Sequence, residues 1–355
     1  FAEAKLTNTD FTNATIKGAS FKITVAKGFT ESQLRSTKSY LDKDLSGIDL
    51  SDNDLSWWDF SNQNLTSASF AGATLTATDF TNATINGAYF NGTNFTESQL
   101  KSTKSYQDKD LSGIIFSNND LRGWNFYGQN LSSVSFYGTT LTNAIFTNAN
   151  LTAVYFVHAK LTNADFTNAT IKNASFREAV ERGFTESQLK STKSYQDKDL
   201  SGIDLSDNDL SNWNFSDQNL TSASFVRATL TNADFTNANL TLTNLSGAIL
   251  TSTDFTNANL FSADLFGATL TNANFTGATI KGASFGNTVD KGFTEAQLKS
   301  TKSYQDKDLS GINLGDNVLR DWHFYGQNLT SANFMYAILK YASFSGAIVK
   351  NACFR

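Results

Sequence analysis

LTNANFTGATIKGASF, residues 270–285, places a large apolar residue at every fifth position: Leu270, Phe275, Ile280 and Phe285. The residue two before each of the last three centres is small, here Ala273, Ala278 and Ala283. The same step opens at Phe1, Leu6, Phe11, Ile16 and Phe21, runs unbroken from Leu45 to Leu100, and closes at Phe354. A period of five is neither the 3.6 of a helix nor the 2 of a flat strand. It fits a chain that turns a corner every five residues, with one large and one small side chain inward and three polar ones outward. Proline is absent from all 355 residues, where average usage would give about 18. Proline would delete a backbone donor between neighbouring coils.

The stretch at 270–285 and its near-copy LTNADFTNATIKNASF at 161–176 resemble the repeats of the pentapeptide repeat proteins, and the motif recurs more than sixty times along the chain. The resemblance implies an all-β solenoid, a right-handed quadrilateral β-helix with four pentads per coil and Leu and Phe stacked inside. A single coil cannot bury its own apolar face, whereas stacked coils at a strand-like spacing of about 4.8 Å can. One solenoid over residues 1–355 is expected, rather than several globular domains.

A longer repeat is laid over the first. FTESQLRSTKSYLDKDLSGIDLSDNDL begins at Phe29, with near-copies from Phe95, Phe184 and Phe293. In each, one step lengthens to eleven residues: Leu34 to Leu45, Leu100 to Leu111, Leu189 to Leu200 and Leu298 to Leu309. Each long step follows Thr30, Thr96, Thr185 or Thr294, with Gln33, Gln99, Gln188 or Gln297 three residues later, a helix-start capping box. The spacing predicts short helical excursions near 30–44, 96–110, 185–199 and 294–308. Three copies are preceded by an eight-residue step ending in Gly28, Gly183 or Gly292, a smaller bulge that the copy at Phe95 lacks. If each eleven-residue step advances the chain by one face, the excursions are separated by 12, 16 and 20 steps. All three counts divide by four, which places the excursions at one corner of a helix of about sixteen coils.

Trp58, Trp124, Trp213 and Trp322 fall in the inward small-residue slot one coil after each break. Asn53, Asn119, Asn208 and Asn317 precede them in that slot, and Gln63, Gln129, Gln218 and Gln327 follow. Inward amides demand partners. Two readings are open: the amides satisfy backbone freed by the excursion, or Trp, Asn and Gln wall a ligand pocket. The pairs Asp42 and Asp44, Asp108 and Asp110, Asp197 and Asp199, and Asp306 and Asp308 stand before a Ser-Gly, in the spacing of a calcium loop. Position twelve, where a bidentate Glu would close such a loop, is Asn53, Asn119, Asn208 or Asn317. Weak calcium sites and a purely structural role therefore compete.

Composition bounds the chemistry. Lys and Arg total 28 against 33 for Asp and Glu, a net charge of −5, which is too balanced to imply nucleic acid or an anionic membrane as partner. No apolar run approaches 20 residues, so no membrane insertion is expected. The single cysteine, Cys353, excludes an internal disulfide and is expected to point outward. His158 and His323 are far apart and outward, with no metal site or triad around either. No catalytic constellation is present, so no enzyme activity and no cofactor are expected.

The reading is a non-enzymatic, self-assembling structural rod that stacks head to tail with copies of itself into filaments or a surface layer. It starts and ends on apolar centres, Phe1 and Phe354, and sixteen coils would span about 77 Å at strand spacing. A lateral contact surface is expected at the outward aromatics Tyr137, Phe266 and Tyr336. The alternative is a binding scaffold. Some family members mimic duplex DNA and bind a topoisomerase, and outward threonines such as Thr76, Thr81 and Thr142 suit an ice- or carbohydrate-binding face. An extracellular or cell-surface bacterial setting is expected, with the cytoplasm as the alternative. The chain starts at Phe1 within a pentad and without Met, which leaves room for a preceding segment.

Overall fold

Two residues after most centres the backbone enters the left-handed region, with φ of 61° at Asn62, 57° at Asn82 and 58° at Asn232. Asn and Gly tolerate this conformation best, which accounts for their recurrence there. The N–H three residues after a centre then closes on the centre's carbonyl, as Ala68 does on Leu65 at 2.9 Å. That is the geometry of a turn with positive φ at its third residue, and it makes the corner. The residue before the centre locks it further: Asn64 Oδ1 accepts from the Thr66 N–H at 3.1 Å and from the Thr66 hydroxyl at 2.7 Å. The Asn-Leu-Thr order of the pentad is thus an Asx-type turn wrapped around a buried centre.

The computed structural model describes residues 1–354, which form two compact units. One holds residues 1–174, 182–184 and 191–193; the other holds 175–181, 185–190 and 194 onward. Each is a β-helical solenoid built from parallel bridges. In the first, Asp44 pairs with Asn64, Asn64 with Thr84, and Asn130 with Asn150. In the second, Asn219 pairs with Asn239 and Asn239 with Asn259. The repeat distance of twenty residues is four five-residue steps. The centres between the bridges are buried, from Phe60 and Leu65 in the first unit to Phe255 and Leu260 in the second. Phe215, Phe235, Phe255 and Phe275 form one column, with ring centroids 5.0, 5.3 and 5.1 Å apart.

The register jumps where the pentads break. Ser20 bridges to Asp49, nine residues further than in a regular coil, and Tyr89 to Ile115, six further. Six residues are taken up by a pair of short helices, and three more by a 3₁₀ turn where one is present. The helices are α1 (Glu31–Arg35), α2 (Lys38–Leu41), α3 (Glu97–Ser102), α4 (Lys104–Gln107), α5 (Glu186–Ser191), α6 (Lys193–Gln196), α7 (Glu295–Ser300) and α8 (Lys302–Gln305). Thr30, Thr96 and Thr294 each close a full capping box with Gln33, Gln99 or Gln297. The same glutamines hold the helix on the preceding coil: Gln33 Nε2 donates to the carbonyls of Leu6 and Thr9, both at 2.8 Å.

The 3₁₀ turns Val25–Lys27 and Val289–Lys291 end in Gly28 and Gly292, with φ of 95° and 98°. A Cβ at Gly292 would lie 2.4 Å from Thr271 Oγ1 and 2.7 Å from the Thr271 backbone. Gly292→Ala is expected to destabilise the second unit by about 1–3 kcal/mol through backbone strain and that collision, read as a lowered urea midpoint. An unchanged midpoint would mean that the turn relaxes freely.

Candidate functional site

Each insert meets the coil after it through the same set of side chains. Asn53 reaches back to the 3₁₀ turn: its Oδ1 accepts from the N–H groups of Thr24 and Val25 at 2.8 and 2.9 Å, and its Nδ2 donates to the carbonyls of Phe21 and Leu50 at 2.9 and 3.0 Å. Asn317 repeats this with Thr288, Val289 and Phe285. Asn119, whose copy lacks the turn, accepts only from Thr93 and donates to Phe90. The inward amides therefore satisfy backbone freed by the looped-out residues.

Trp58, Trp124, Trp213 and Trp322 are buried at 7, 7, 8 and 7% exposure. Trp58 packs on Phe29 and Phe60 with centroids 5.9 and 6.2 Å away, and Trp322 packs in the same way on Phe293 and Phe324. Gln63, Gln129, Gln218 and Gln327 each donate Nε2 to the carbonyl of Tyr40, Tyr106, Tyr195 or Tyr304. Their Oε1 atoms are buried with no donor in any of the four copies.

Sequence reasoning missed two groups. Glu31, Glu97, Glu186 and Glu295 each accept, through Oε1, the backbone N–H of Asp59, Asn125, Asn214 or His323. The phenol of Tyr40 donates to the Asp59 carbonyl at 2.9 Å, and the other three copies do the same to their counterparts. The signal was present as an invariant 28-residue separation of acid and partner in four copies. His323 adds a 3.1 Å contact from Nδ1 to Glu295.

Asp42, Asp44, Asp108, Asp110, Asp199, Asp306 and Asp308 of the calcium spacing have basic or amide partners. Asp42 pairs with Lys38 at 2.6 Å and Asp306 with Lys302 at 2.5 Å, while Asp108 pairs with Lys104. Asp44 and Asp308 reach the preceding coil through Lys17 and Lys281 at 2.8 and 2.9 Å. Asp110 and Asp199 accept from Asn130 and Asn219 at 2.9 and 3.3 Å. Asp197 holds the same place after α6 as Asp42 does after α2. No group of three or more acidic, His or Cys side chains converges as a metal site among the described residues.

These contacts set an acid sensitivity. The Lys17 ammonium and the Ser46 hydroxyl hold Asp44 down at about 2, from an ordinary 3.8. Asp54 and Asp209 are lowered by Ser56 and Ser211, and Asp308 by Ser310 and Lys281 against the opposing effect of burial. A carboxylate lowered on folding stabilises the native state above its unfolded pKa and loses that contribution as pH falls through the folded one. The melting temperature is therefore expected to hold between neutral pH and about 5, then fall between about 4 and 2. A calorimetric melt unchanged down to pH 2 would overturn this.

Phe1 and Phe354 are exposed at 57 and 47%, each against an inner ring, Phe21 at 5.1 Å and Phe334 at 5.1 Å. Tyr137, Phe266 and Tyr336 are exposed. Tyr137 lies edge-on to His158, with centroids 5.2 Å apart. Phe266 lies over Gly286, whose Cβ would sit 2.8 Å from its ring. Cys353 is half-buried, at a bridge position opposite Asn333. No helix among the described residues is long and apolar enough to cross a membrane.

The family model described as pentapeptide repeats, eight copies, matches residues 44–82, 75–104, 110–148, 144–180, 199–237, 230–265, 238–277, 258–289 and 319–355. The gaps between these segments fall on parts of the second, third and fourth inserts. A comparison with curated proteins gives no match. Among solved structures, the chain is similar to HetL, a pentapeptide repeat protein involved in heterocyst differentiation regulation from the cyanobacterium Nostoc, at 22% identity over 68% of this chain and 88% of that one, with a TM-score of 0.21. It is also similar to QnrB1, a plasmid-mediated fluoroquinolone resistance protein, at 14% identity over 58% of this chain and 83% of that one, with a TM-score of 0.26. A pentapeptide repeat protein of the Arabidopsis thaliana thylakoid lumen is 24% identical over 39% and 63% of the two chains, with a TM-score of 0.13. With the family model matching most of its length and every coil built on the five-residue turn, the chain belongs to the pentapeptide repeat family.

Proposed function

We propose that the chain is a non-enzymatic structural scaffold that associates with further copies of itself, end on end. The observation that carries this is the coil-to-coil stacking itself, in which ring columns such as Phe215, Phe235, Phe255 and Phe275 run alongside parallel backbone bridges at a twenty-residue repeat. A coil of the same register can add both ring stacking and backbone bridges to such a column, and a head-to-tail contact that does not close propagates. Steps in multiples of four between the inserts support about sixteen coils in total, with all four helical excursions at the equivalent corner. The family's fold supports a right-handed quadrilateral winding.

Light scattering of the purified chain is expected to show mass rising with concentration, and electron microscopy to show filaments. Fusing a charged, capped coil after Phe354 is expected to stop growth at single particles. Filaments that persist with the cap, or a native chain whose mass does not change with concentration, would refute end-on association. The outward aromatics favour a side-to-side contact as a second reading. Replacing Tyr137, Phe266 and Tyr336 with Ser is expected to abolish lateral association at an unchanged melting temperature.

A further inference from the structure

Among their differences from the first and third copies, the second and fourth share one segment. After the buried Phe they read Tyr127-Gly128-Gln129 and Tyr325-Gly326-Gln327, where the others read Ser61-Asn62-Gln63 and Ser216-Asp217-Gln218. In the second copy this segment and the insert enclose an open groove of about 380 Å³, lined by Tyr106, Lys109, Asn125, Tyr127 and Gln129 among others. Tyr127 and Tyr325 stand 54 and 52% exposed, although both follow a fully buried Phe.

The groove's polar groups are unevenly spent. Asn125 Oδ1 accepts from the Tyr127 N–H at 2.8 Å, which leaves its amide protons for another partner. Gln129 is 3% exposed, its Nε2 is used on the Tyr106 carbonyl, and its Oε1 has no donor. Among the described residues Lys109 has no carboxylate partner; its Nζ lies 3.9 Å from where a Cβ of Gly128 would stand, and Lys307 lies 3.4 Å from that of Gly326. In the third copy the same lysine, Lys198, is neutralised by Asp217 at 3.1 Å. Only in the third copy does an acidic residue, Asp217, stand there; Asn62 in the first copy and Gly128 and Gly326 in the tyrosine copies bring no carboxylate to the lysine.

We infer that the groove of the second copy, and the matching Tyr-Gly-Gln segment of the fourth, bind acidic saccharides, oligomers of uronic acids. An exposed tyrosine face stacks on the C–H face of a pyranose. An unpaired ammonium is a point charge suited to the sugar carboxylate. In the fourth copy His323 stands in for Asn125, 5.2 Å from the Tyr325 ring.

The test is titration calorimetry of the full chain, at concentrations where it is dispersed, with trigalacturonate and with its neutral methyl ester. Reading dispersed chains keeps the outcome separate from end-on association. Saturable binding of trigalacturonate is expected, at least tenfold tighter than the ester. Tyr127→Ser with Tyr325→Ser installs the residue that the first and third copies already carry, and is expected to weaken binding at least tenfold at an unchanged melting temperature. Gly128→Asp with Gly326→Asp copies the third insert and is expected to remove the preference for acid over ester. Should either pair lower the melting temperature, Lys109→Gln with Lys307→Gln reads the charge alone and is expected to remove the same preference. No saturation at millimolar trigalacturonate, equal affinity for the ester, or full affinity in the serine variant would overturn the assignment.

Discussion

Phe215→Asp is expected to abolish the cooperative melt of the second unit. Phe215 is fully buried, its ring is stacked on Phe235 at 5.0 Å and edge-on to Phe225 at 5.4 Å, and its N–H is tied to the Asp234 carbonyl at 2.7 Å. Removing the ring alone, as in Phe215→Ala, costs about 3–5 kcal/mol. A carboxylate placed there also meets only apolar neighbours, and an unpaired buried charge costs several kcal/mol more. Together these approach the whole stability of an ordinary domain, about 5–15 kcal/mol. Circular dichroism and the fluorescence of Trp213 are expected to report loss of folded signal at room temperature. If the variant melts with the native chain, Phe215 does not face the interior and the pentad phase is wrong.

Asn317→Ala is expected to cost about 3–5 kcal/mol, with the N–H of buried Thr288, that of half-buried Val289 and a carbonyl each losing about 1–3 kcal/mol in part. Its Oδ1 is the acceptor for Thr288 and Val289, both at 2.9 Å, and its Nδ2 donates to Phe285 at 2.8 Å. Thr288 is fully buried, so water cannot replace the lost acceptor without opening the turn. Asn119→Ala is expected to cost less, because Asn119 serves one N–H and one carbonyl and no 3₁₀ turn precedes it. Urea denaturation followed separately in the two variants checks both values. Equal losses would mean that the amide acts by filling space and not by satisfying the turn.

The pentad was legible because each of its positions answers one local demand. Leu and Phe recur where the interior is, Asn and Gly where φ must be positive, and Asp, Asn, Ser and Thr where a side chain closes the turn. Such demands act within five residues, so the period declares itself without knowledge of the rest of the chain. Thr30 and Gln33 were legible for the same reason, since both halves of a capping box lie within one helical turn. Family membership followed from that period.

The tertiary structure decided what depends on residues about twenty to thirty positions apart. That Asp44 meets Lys17, that Glu31 caps the Asp59 N–H, and that Trp58 rests on Phe29 follow only once looped-out residues have set the register between coils. The groove at Tyr127 has the same origin. Sequence places Tyr-Gly where other copies have Ser-Asn or Ser-Asp, but only the packed coil brings Lys109 and the exposed Tyr127 ring to one groove. Short-range turn chemistry determined the coil from sequence alone, whereas stacking of one coil on the next, a long-range and collective contact, determined which side chains share a surface.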